Sequence, residues 1–287
     1  MCDSDKGDFF VDTSMSRRSA MIGLSTVAAA SGLPASALAA MVVESDVQVR
    51  TADGVIDAVL VHPDGNKKRP GVLIWPDIFG LRPTFREMAR RLAASGYVVL
   101  VPNPFYRAGP APVVTGKVNT ADRSAMAPLQ EYRKALTAEK VAMDASALIG
   151  FLDSQKRVDR RKGIGVQGYC MGGPLSFRTA AARSDRIRAV GSFHGGGLVT
   201  KEADSPHLLV ARTKASYLVA VAQNDDKKEP TAKEVLRSTF AAAKRPAVVE
   251  VYPGDHGWCV PGSQAYNQPA AERAWAELLK LYRAALA

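Results

Sequence analysis

Short runs of consecutive apolar residues recur along this chain and are separated by longer stretches of mixed polarity. Runs of this length without polar interruption are typical of strands that are buried on both faces, as in a parallel sheet. The pattern predicts strands at residues 55–61, 71–75, 97–101, 164–166, 189–193, 217–222 and 248–252.

The intervening stretches carry apolar residues three and four positions apart, which is the spacing of one helix face. They predict helices at residues 84–95, 139–152, 231–243 and 269–286, and a further helix that begins after residue 173. Strands that alternate with helices predict an α/β fold, with a mostly parallel sheet and helices on both faces. Residues 107–128 are rich in Pro, Gly, Ala and Thr, and they predict a long irregular excursion over the surface.

The first 39 residues have the features of a signal peptide. Arg17 and Arg18 precede the apolar stretch 20–30, and small residues follow at Ala37 and Ala39. A paired arginine of this kind marks the route that exports folded proteins, so we expect a periplasmic protein. The alternative is an N-terminal membrane anchor, but the apolar stretch is short for spanning, and we expect no stable membrane span after processing. The acidic residues before Arg17 are atypical of a leader, and Met15 is an alternative start.

Composition indicates one globular domain, residues 40–287. The chain has 287 residues, of which 47% are hydrophobic and 23% charged, enough for one sizeable core. Its net charge of +10 raises the question of nucleic acid. However, the basic residues are scattered, their clusters are as short as 67–69 and 160–162, and no aromatic residues are interleaved with them. We therefore expect a solvated basic surface and no nucleic-acid partner.

The chemistry is concentrated at residues 163–173, where a strand meets a helix. Gly168 and Gly172 flank Cys170 at two residues on either side. This G-x-C-x-G pattern predicts a sharp turn that lifts a nucleophile above the sheet, and the helix N-terminus favours a thiolate there. The alternative is that Cys170 is a small buried core residue, but such a residue needs no glycine on each side.

Partners for this cysteine are expected at the ends of later strands, in the order acid and then histidine. Asp225 and Asp226 follow the strand 217–222, and His256 follows the strand 248–252. Asp255 is disfavoured as the acid because an immediate neighbour points away from the imidazole in extended chain. Of the other histidines, His194 is expected near the site without being the base, and His62 and His207 are expected to be structural.

Three segments together, residues 75–81, 168–173 and 253–257, resemble the dienelactone hydrolase family. The resemblance implies an α/β-hydrolase fold, Cys170 as nucleophile, His256 as base and an aspartate as the orienting acid. The family pattern places proline four residues after that aspartate, so Pro230 selects Asp226, with Asp225 as the reserve. No metal or organic cofactor is implied.

The resemblance also implies that the N–H groups of Ile78 and Met171 form an oxyanion hole. Two positions depart from the family pattern. Where studied members carry a glutamate that is thought to hold the resting thiol, this chain has the shorter Asp77. Where they carry an arginine that pairs with the substrate carboxylate, this chain has Val260, so a different substrate is expected.

The predicted function is hydrolysis of a small-molecule ester or lactone through a Cys-His-Asp triad. The alternatives are a general carboxylesterase or thioesterase of the same fold, and a non-catalytic exported binding protein. A metal cluster of Cys170, His256 and Cys259 is disfavoured because no fourth ligand stands at metal spacing. We expect Cys259 to lie in the core under Trp258 without bonding to Cys170.

Overall fold

An eight-stranded sheet forms the centre of the protein, in the order β10-β9-β8-β7-β4-β5-β3-β2. The computed structural model describes residues 10–12 and 42–287. In chain order the strands are β1 (Phe10–Asp12), β2 (Val42–Thr51), β3 (Gly54–Pro63), β4 (Gly71–Trp75), β5 (Val98–Pro102), β6 (Lys117–Asn119), β7 (Ile164–Tyr169), β8 (Ile187–Phe193), β9 (Ser216–Ala222) and β10 (Ala247–Tyr252).

Six neighbouring strands of this sheet, from β5 through β4, β7, β8 and β9 to β10, run parallel. Only β3 is antiparallel to its neighbours β2 and β5. The short strands β1 and β6 pair with each other outside the main sheet. The predicted α/β class with a mostly parallel sheet is confirmed. Apart from β1, the predicted leader at residues 1–39 lies outside the described residues.

Helices cover both faces of the sheet. They are α1 (Pro83–Ala94), α2 (Arg123–Lys134), α3 (Ala138–Ser154), α4 (Gly172–Ala182), α5 (Gln223–Lys228), α6 (Ala232–Ala242) and α7 (Gln268–Ala285), with a 3-10 helix at Pro206–Arg212. Two large apolar clusters pack between the sheet and these helices. One contains Phe85 from α1 and Leu278 from α7, and the second contains Leu148 from α3 and Phe177 from α4. Among the helices described, none has the length and apolar character needed to cross a membrane.

The excursion predicted to be irregular contains regular structure. Strand β6 lies within it, and helix α2 begins inside it, at Arg123. The side chain of Asp122 starts this helix by accepting a hydrogen bond from the Ser124 N–H at 2.8 Å. Leu129 of α2 then packs on Ile78 and Phe79 in a small third cluster. The prediction was wrong here because capping and packing outweigh the helix-breaking tendency of the local composition.

The turn between β7 and α4 is as tight as the glycine pattern predicts. Cys170 adopts the left-handed conformation, with φ of 52°. A Cβ at Gly168 would lie 1.9 Å from the carbonyl oxygen of Gly172, and one at Gly172 would lie 2.4 Å from the carbonyl oxygen of Trp75. Both contacts are with backbone, which cannot move aside as a flexible side chain can. The turn is therefore pressed against the end of β4.

We predict that Gly168→Ala lowers the free energy of unfolding by at least about 2 kcal/mol, because the added methyl group meets backbone. Gly150→Ala is the matched control, since Gly150 is exposed in α3 and a Cβ there meets no atom within 4 Å. Alanine in a helix interior is favoured over glycine by about 0.5–1 kcal/mol, so this variant should be at least as stable as wild type. Urea unfolding measures both. Equal midpoints would contradict the packing at the turn.

Candidate active site

A cavity of about 660 Å³ lies at the carboxyl end of the parallel strands. Its wall includes Cys170 after β7, Asp225 after β9 and His256 after β10. Ile78 and Met171 line it as well. Cys170, His256 and the reserve acid Asp225 are thus gathered in one place because parallel strands present their carboxyl ends at one edge of the sheet, whereas Asp226 is not part of this wall.

Cys170 occupies the bend and is partly exposed to the cavity. Its N–H donates to the Phe193 carbonyl at 3.0 Å, and its own carbonyl accepts from the Gly173 N–H at 3.0 Å. Met171 follows and directly precedes α4, so the thiol stands at a helix N-terminus. The unpaired N–H groups and the dipole at such an end favour negative charge.

His256 connects the thiol to a carboxylate. Its Nδ1 lies 2.6 Å from Oδ2 of Asp225, and its imidazole is close enough to the Cys170 side chain for that group to raise its pKa. Burial acts to lower the pKa of His256, but the hydrogen bonds and the charges of Asp225 and Cys170 outweigh burial and raise the pKa to about 10. The imidazole is therefore protonated at neutral pH. An imidazole placed between a carboxylate and a thiol has the geometry to activate a sulfur nucleophile.

Two loops that come from different strands are fastened together around this histidine. The N–H of His256 donates to Oδ1 of Asn224 at 2.9 Å. The side-chain amide of Gln223 donates to Oδ1 of Asp255 at 3.0 Å, and the Gln223 N–H donates to the Gly254 carbonyl at 2.9 Å. These three bonds fix where His256 lies relative to Asp225.

The two candidate acids have different partners. Asp225 contacts His256, whereas both oxygens of Asp226 lie 2.8 Å from Nζ of Lys233 in α6. The chain enters helix α5 directly after β9, and consecutive residues in a helix project about 100° apart. The expectation that Asp226 meets His256 is therefore wrong, and the reserve Asp225 occupies that position.

The carboxylate considered as a holder of the resting thiol also has other partners. Asp77 is buried and accepts from both terminal nitrogens of Arg82, at 2.6 and 2.9 Å, and from the Phe79 N–H at 3.0 Å. The guanidinium lies over the Phe85 ring, 4.9 Å from its centroid. A buried ion pair of this kind is costly to break, by about 3–5 kcal/mol when one partner is removed. Asp77 thus stabilises the turn between β4 and α1 through its pair with Arg82.

The two proposed oxyanion donors come from separate segments that the tight turn brings together. Gly172 packs against the Trp75 carbonyl, which places the segment carrying Ile78 beside Met171. Both residues line the cavity. Val260 lines the cavity too and is buried, so the position expected to carry an arginine in relatives presents an apolar surface.

Several residues that line the cavity were not predicted. Met126, Gln130 and Arg133 reach the wall from α2, and Lys228 reaches it from α5. In the sequence, the one feature that pointed to the α2 residues was the length of the stretch between the predicted strand 97–101 and the predicted helix 139–152. His194 lies beside His256, with ring centroids 4.8 Å apart, as expected of a residue near the site.

Cys259 is buried, carries a free thiol and belongs to the apolar cluster that Trp258 shares. Burial, as the largest cause, raises the pKa of its thiol well above the usual value. Cys170 packs against the other cluster. The expectation that Cys259 lies in the core is confirmed. Among the residues that the structure describes, no group of three or more His, Cys, Asp or Glu side chains is arranged to hold a metal ion.

Comparison with known families decides the relationship. The family model described as the dienelactone hydrolase family matches residues 56–286. The chain belongs to the dienelactone hydrolase family. Membership identifies an enzyme that hydrolyses ester bonds, which leaves the binding-protein alternative without support.

Relatives within the family agree with this assignment. A carboxymethylenebutenolidase from a Pseudomonas species is 26% identical over 215 residues, which are 75% of this chain and 84% of the relative. A carboxymethylenebutenolidase from Rhodococcus opacus is 24% identical over 215 residues, 74% of this chain and 79% of that one.

Solved structures share the α/β-hydrolase fold of this chain. A dienelactone hydrolase-like promiscuous phosphotriesterase from metagenomic libraries has a TM-score of 0.69 at 22% identity, covering 86% of this chain and 100% of that one. The dienelactone hydrolase from Anabaena variabilis has a TM-score of 0.54 at 19% identity, with the same 86% and 100% coverage.

We predict that Asp225→Asn lowers kcat for an ester substrate by about 10²–10⁴-fold, because the imidazole loses the carboxylate that orients it. The pKa of His256 should fall towards its ordinary value, since Asp225 acts to raise it. Asp226→Asn, the matched control, removes only the Lys233 pair and should change kcat by less than about threefold. Steady-state hydrolysis of p-nitrophenyl acetate measures both variants, and a larger loss in Asp226→Asn would refute the assignment.

Proposed function

We propose that Cys170, His256 and Asp225 form a catalytic triad that hydrolyses esters or lactones through a covalent thioester. The observation that carries the proposal is the position of His256, which bonds Asp225 through Nδ1 and lies beside Cys170 in the wall of the same cavity. Family membership supports the reaction class, and the cavity beside Cys170 supports a small-molecule substrate.

In the first half of the reaction, the sulfur of Cys170 attacks the carbonyl carbon of the substrate. Negative charge develops on the carbonyl oxygen, and the N–H groups of Met171 and Ile78, two residues of the cavity wall, are the proposed donors to it. The C–O bond then breaks, and the protonated His256 gives its proton to the departing alkoxide. The products of this half are an alcohol and an acyl group held as a thioester on Cys170.

In the second half, the neutral His256 takes a proton from water, and the water oxygen attacks the thioester carbon. The C–S bond breaks, which releases the carboxylic acid and regenerates the sulfur. Asp225 holds Nδ1 throughout, so that Nε2 remains directed at the sulfur and the reacting oxygen. Asp225 stabilises the imidazolium without taking its proton.

The substrate is proposed only to the level of an ester or lactone. The relatives named carboxymethylenebutenolidase suggest a lactone, but the buried Val260 presents no charge where the resemblance would have an arginine. A general carboxylesterase or thioesterase would use the same three side chains. Comparing kcat/KM for dienelactone, simple acyl esters and acyl thioesters separates these substrate classes.

We predict that Cys170→Ala abolishes hydrolysis of p-nitrophenyl acetate, by at least about a thousandfold, because the nucleophile is removed. Wild type should release a burst of p-nitrophenolate equal to the enzyme concentration before the steady state, and this variant should release none. Thermal stability should hardly change, since the side chain is partly exposed.

Cys259→Ala is the matched control for a lost thiol and should keep the burst. Activity of Cys170→Ala within about tenfold of wild type, a barrier difference of only about 1.4 kcal/mol, would refute the nucleophile assignment.

We also propose that the enzyme is exported to the periplasm. Arg17 and Arg18, the apolar stretch after them, and the small residues at 37 and 39 support a twin-arginine leader. Cleavage after Ala39 would remove strand β1 together with the leader and leave residues 40–287, which contain the whole eight-stranded sheet.

The test is the mass and location of the full-length gene product. The expected result is a periplasmic species that begins at residue 40. Replacing Arg17 and Arg18 by lysine should keep the protein inside the cell, whereas replacing Arg160 and Arg161 by lysine should not. A full-length protein retained inside the cell in every case would refute export.

A further inference from the structure

His194 is an unusual residue of this site that the mechanism above does not use. It follows β8 directly, is 1% exposed, and its N–H donates to the Ala220 carbonyl at 2.8 Å. Its φ of 39° is in the left-handed region, which only a few residue types adopt readily. Within the described part of the chain, neither ring nitrogen has a hydrogen-bond partner. Buried polar groups without partners are rare in native structures, so this side chain requires a physical explanation.

The ring of His194 packs against the ring of His256. The ring centroids are 4.8 Å apart and the planes are inclined by 66°, which is an edge-to-face contact. Tyr169, from β7, and Trp258 stand behind His194, with ring centroids 6.2 and 6.5 Å from it. His194 is thus held from behind and borders one side of the catalytic imidazole.

The charge state of His194 suits this position. Burial first, and the charge of His256 second, lower the pKa of His194 well below its ordinary value, so the ring is neutral. The other titratable groups around the pair are Cys170 and Asp225, both in contact with His256, and Tyr169, whose pKa burial raises well above its usual value. A neutral ring can pack against the imidazolium of His256, whereas a second imidazolium would repel it.

The contact that the structure shows between His194 and the proposed triad is made by its ring, against the ring of His256. We propose that His194 is a positioning residue, whose neutral ring packs on the imidazole of His256 and holds it where it contacts Asp225 and Cys170 at once. The inference rests on the proposed triad and adds to it a fourth side chain, which is part of the cavity wall and acts through its contact with His256.

The test compares two substitutions that separate the ring from the backbone. His194→Phe keeps an aromatic ring but places it in a left-handed conformation that phenylalanine adopts poorly, so this variant should be less stable than wild type. His194→Asn tolerates that conformation but removes the ring, so its stability should be closer to that of wild type. Function should follow the opposite order. We expect kcat/KM for p-nitrophenyl acetate to fall by about tenfold or more in His194→Asn and by less than about threefold in His194→Phe.

Two further measurements sharpen the comparison. NMR titration of the labelled histidines should show a lower pKa for His256 in His194→Asn and a nearly unchanged one in His194→Phe. His207→Asn, which removes an imidazole bonded to Ser205 and outside the cavity wall, is the control and should change neither quantity.

A purely structural role would make activity follow stability, with His194→Phe the poorer enzyme, and that result would overturn the proposal. An unchanged kcat/KM and an unchanged pKa of His256 in His194→Asn would overturn it as well. The titration reports on His256 independently of hydrolysis, whereas failure of the triad itself would appear as activity that survives Cys170→Ala.

Discussion

The close approach of two backbone segments, at the tight turn and at the end of β4, determines the form of the active site. Gly172 lies so close to the carbonyl oxygens of Trp75 and Pro76 that a Cβ on this residue would be within 2.4 and 2.8 Å of them, which leaves no room for a side chain. Because of this contact, the thiol at the turn and the segment that carries Ile78 face the same cavity. The buried ion pair between Asp77 and Arg82 then fixes the conformation of the segment that carries Ile78. A rigid backbone contact keeps the distance between the proposed nucleophile and the proposed oxyanion donors more constant than a flexible side-chain contact could.

The remaining members of the site depend on polar contacts between loops. His256 and Asp225 follow neighbouring strands, β10 and β9, and the hydrogen bonds of Gln223 and Asn224 join the loops that carry them. Desolvation opposes a charged imidazole at this position, so its protonation depends on the surrounding carboxylate and thiol. The positive charge on His256 therefore depends on both loops being in place, and loosening either loop would lower the pKa of His256.

Much of this arrangement could be predicted from the sequence, because it follows from local patterns. Apolar runs indicate the parallel strands, and the glycines on either side of Cys170 indicate the turn. The choice between Asp225 and Asp226 could not be predicted in the same way. Whether the chain after β9 is extended or helical is decided by contacts with the loop around Gly254, which is about thirty residues away in sequence.

Helix α2 and the role of Asp77 were missed for a related reason. The composition before Leu129 favours irregular structure, and only the cap and the packing on Phe79 show that a helix forms there. The side chain that engages Asp77 belongs to Arg82, and no local pattern marks a buried arginine as its partner. Long-range contacts of this kind determine which of several plausible residues faces a site.

The separation of the two cysteines determines how an oxidised Cys170 could be reduced again. Cys170 and Cys259 pack in different apolar clusters, so the described chain offers an oxidised Cys170 no second thiol with which to form a disulfide. A sulfenic acid at Cys170 would consequently be restored only by a small thiol from solution, and without one it would proceed to the irreversible sulfinic acid. The burial that protects Cys259 thus leaves Cys170, the proposed nucleophile, without a neighbouring thiol to repair it.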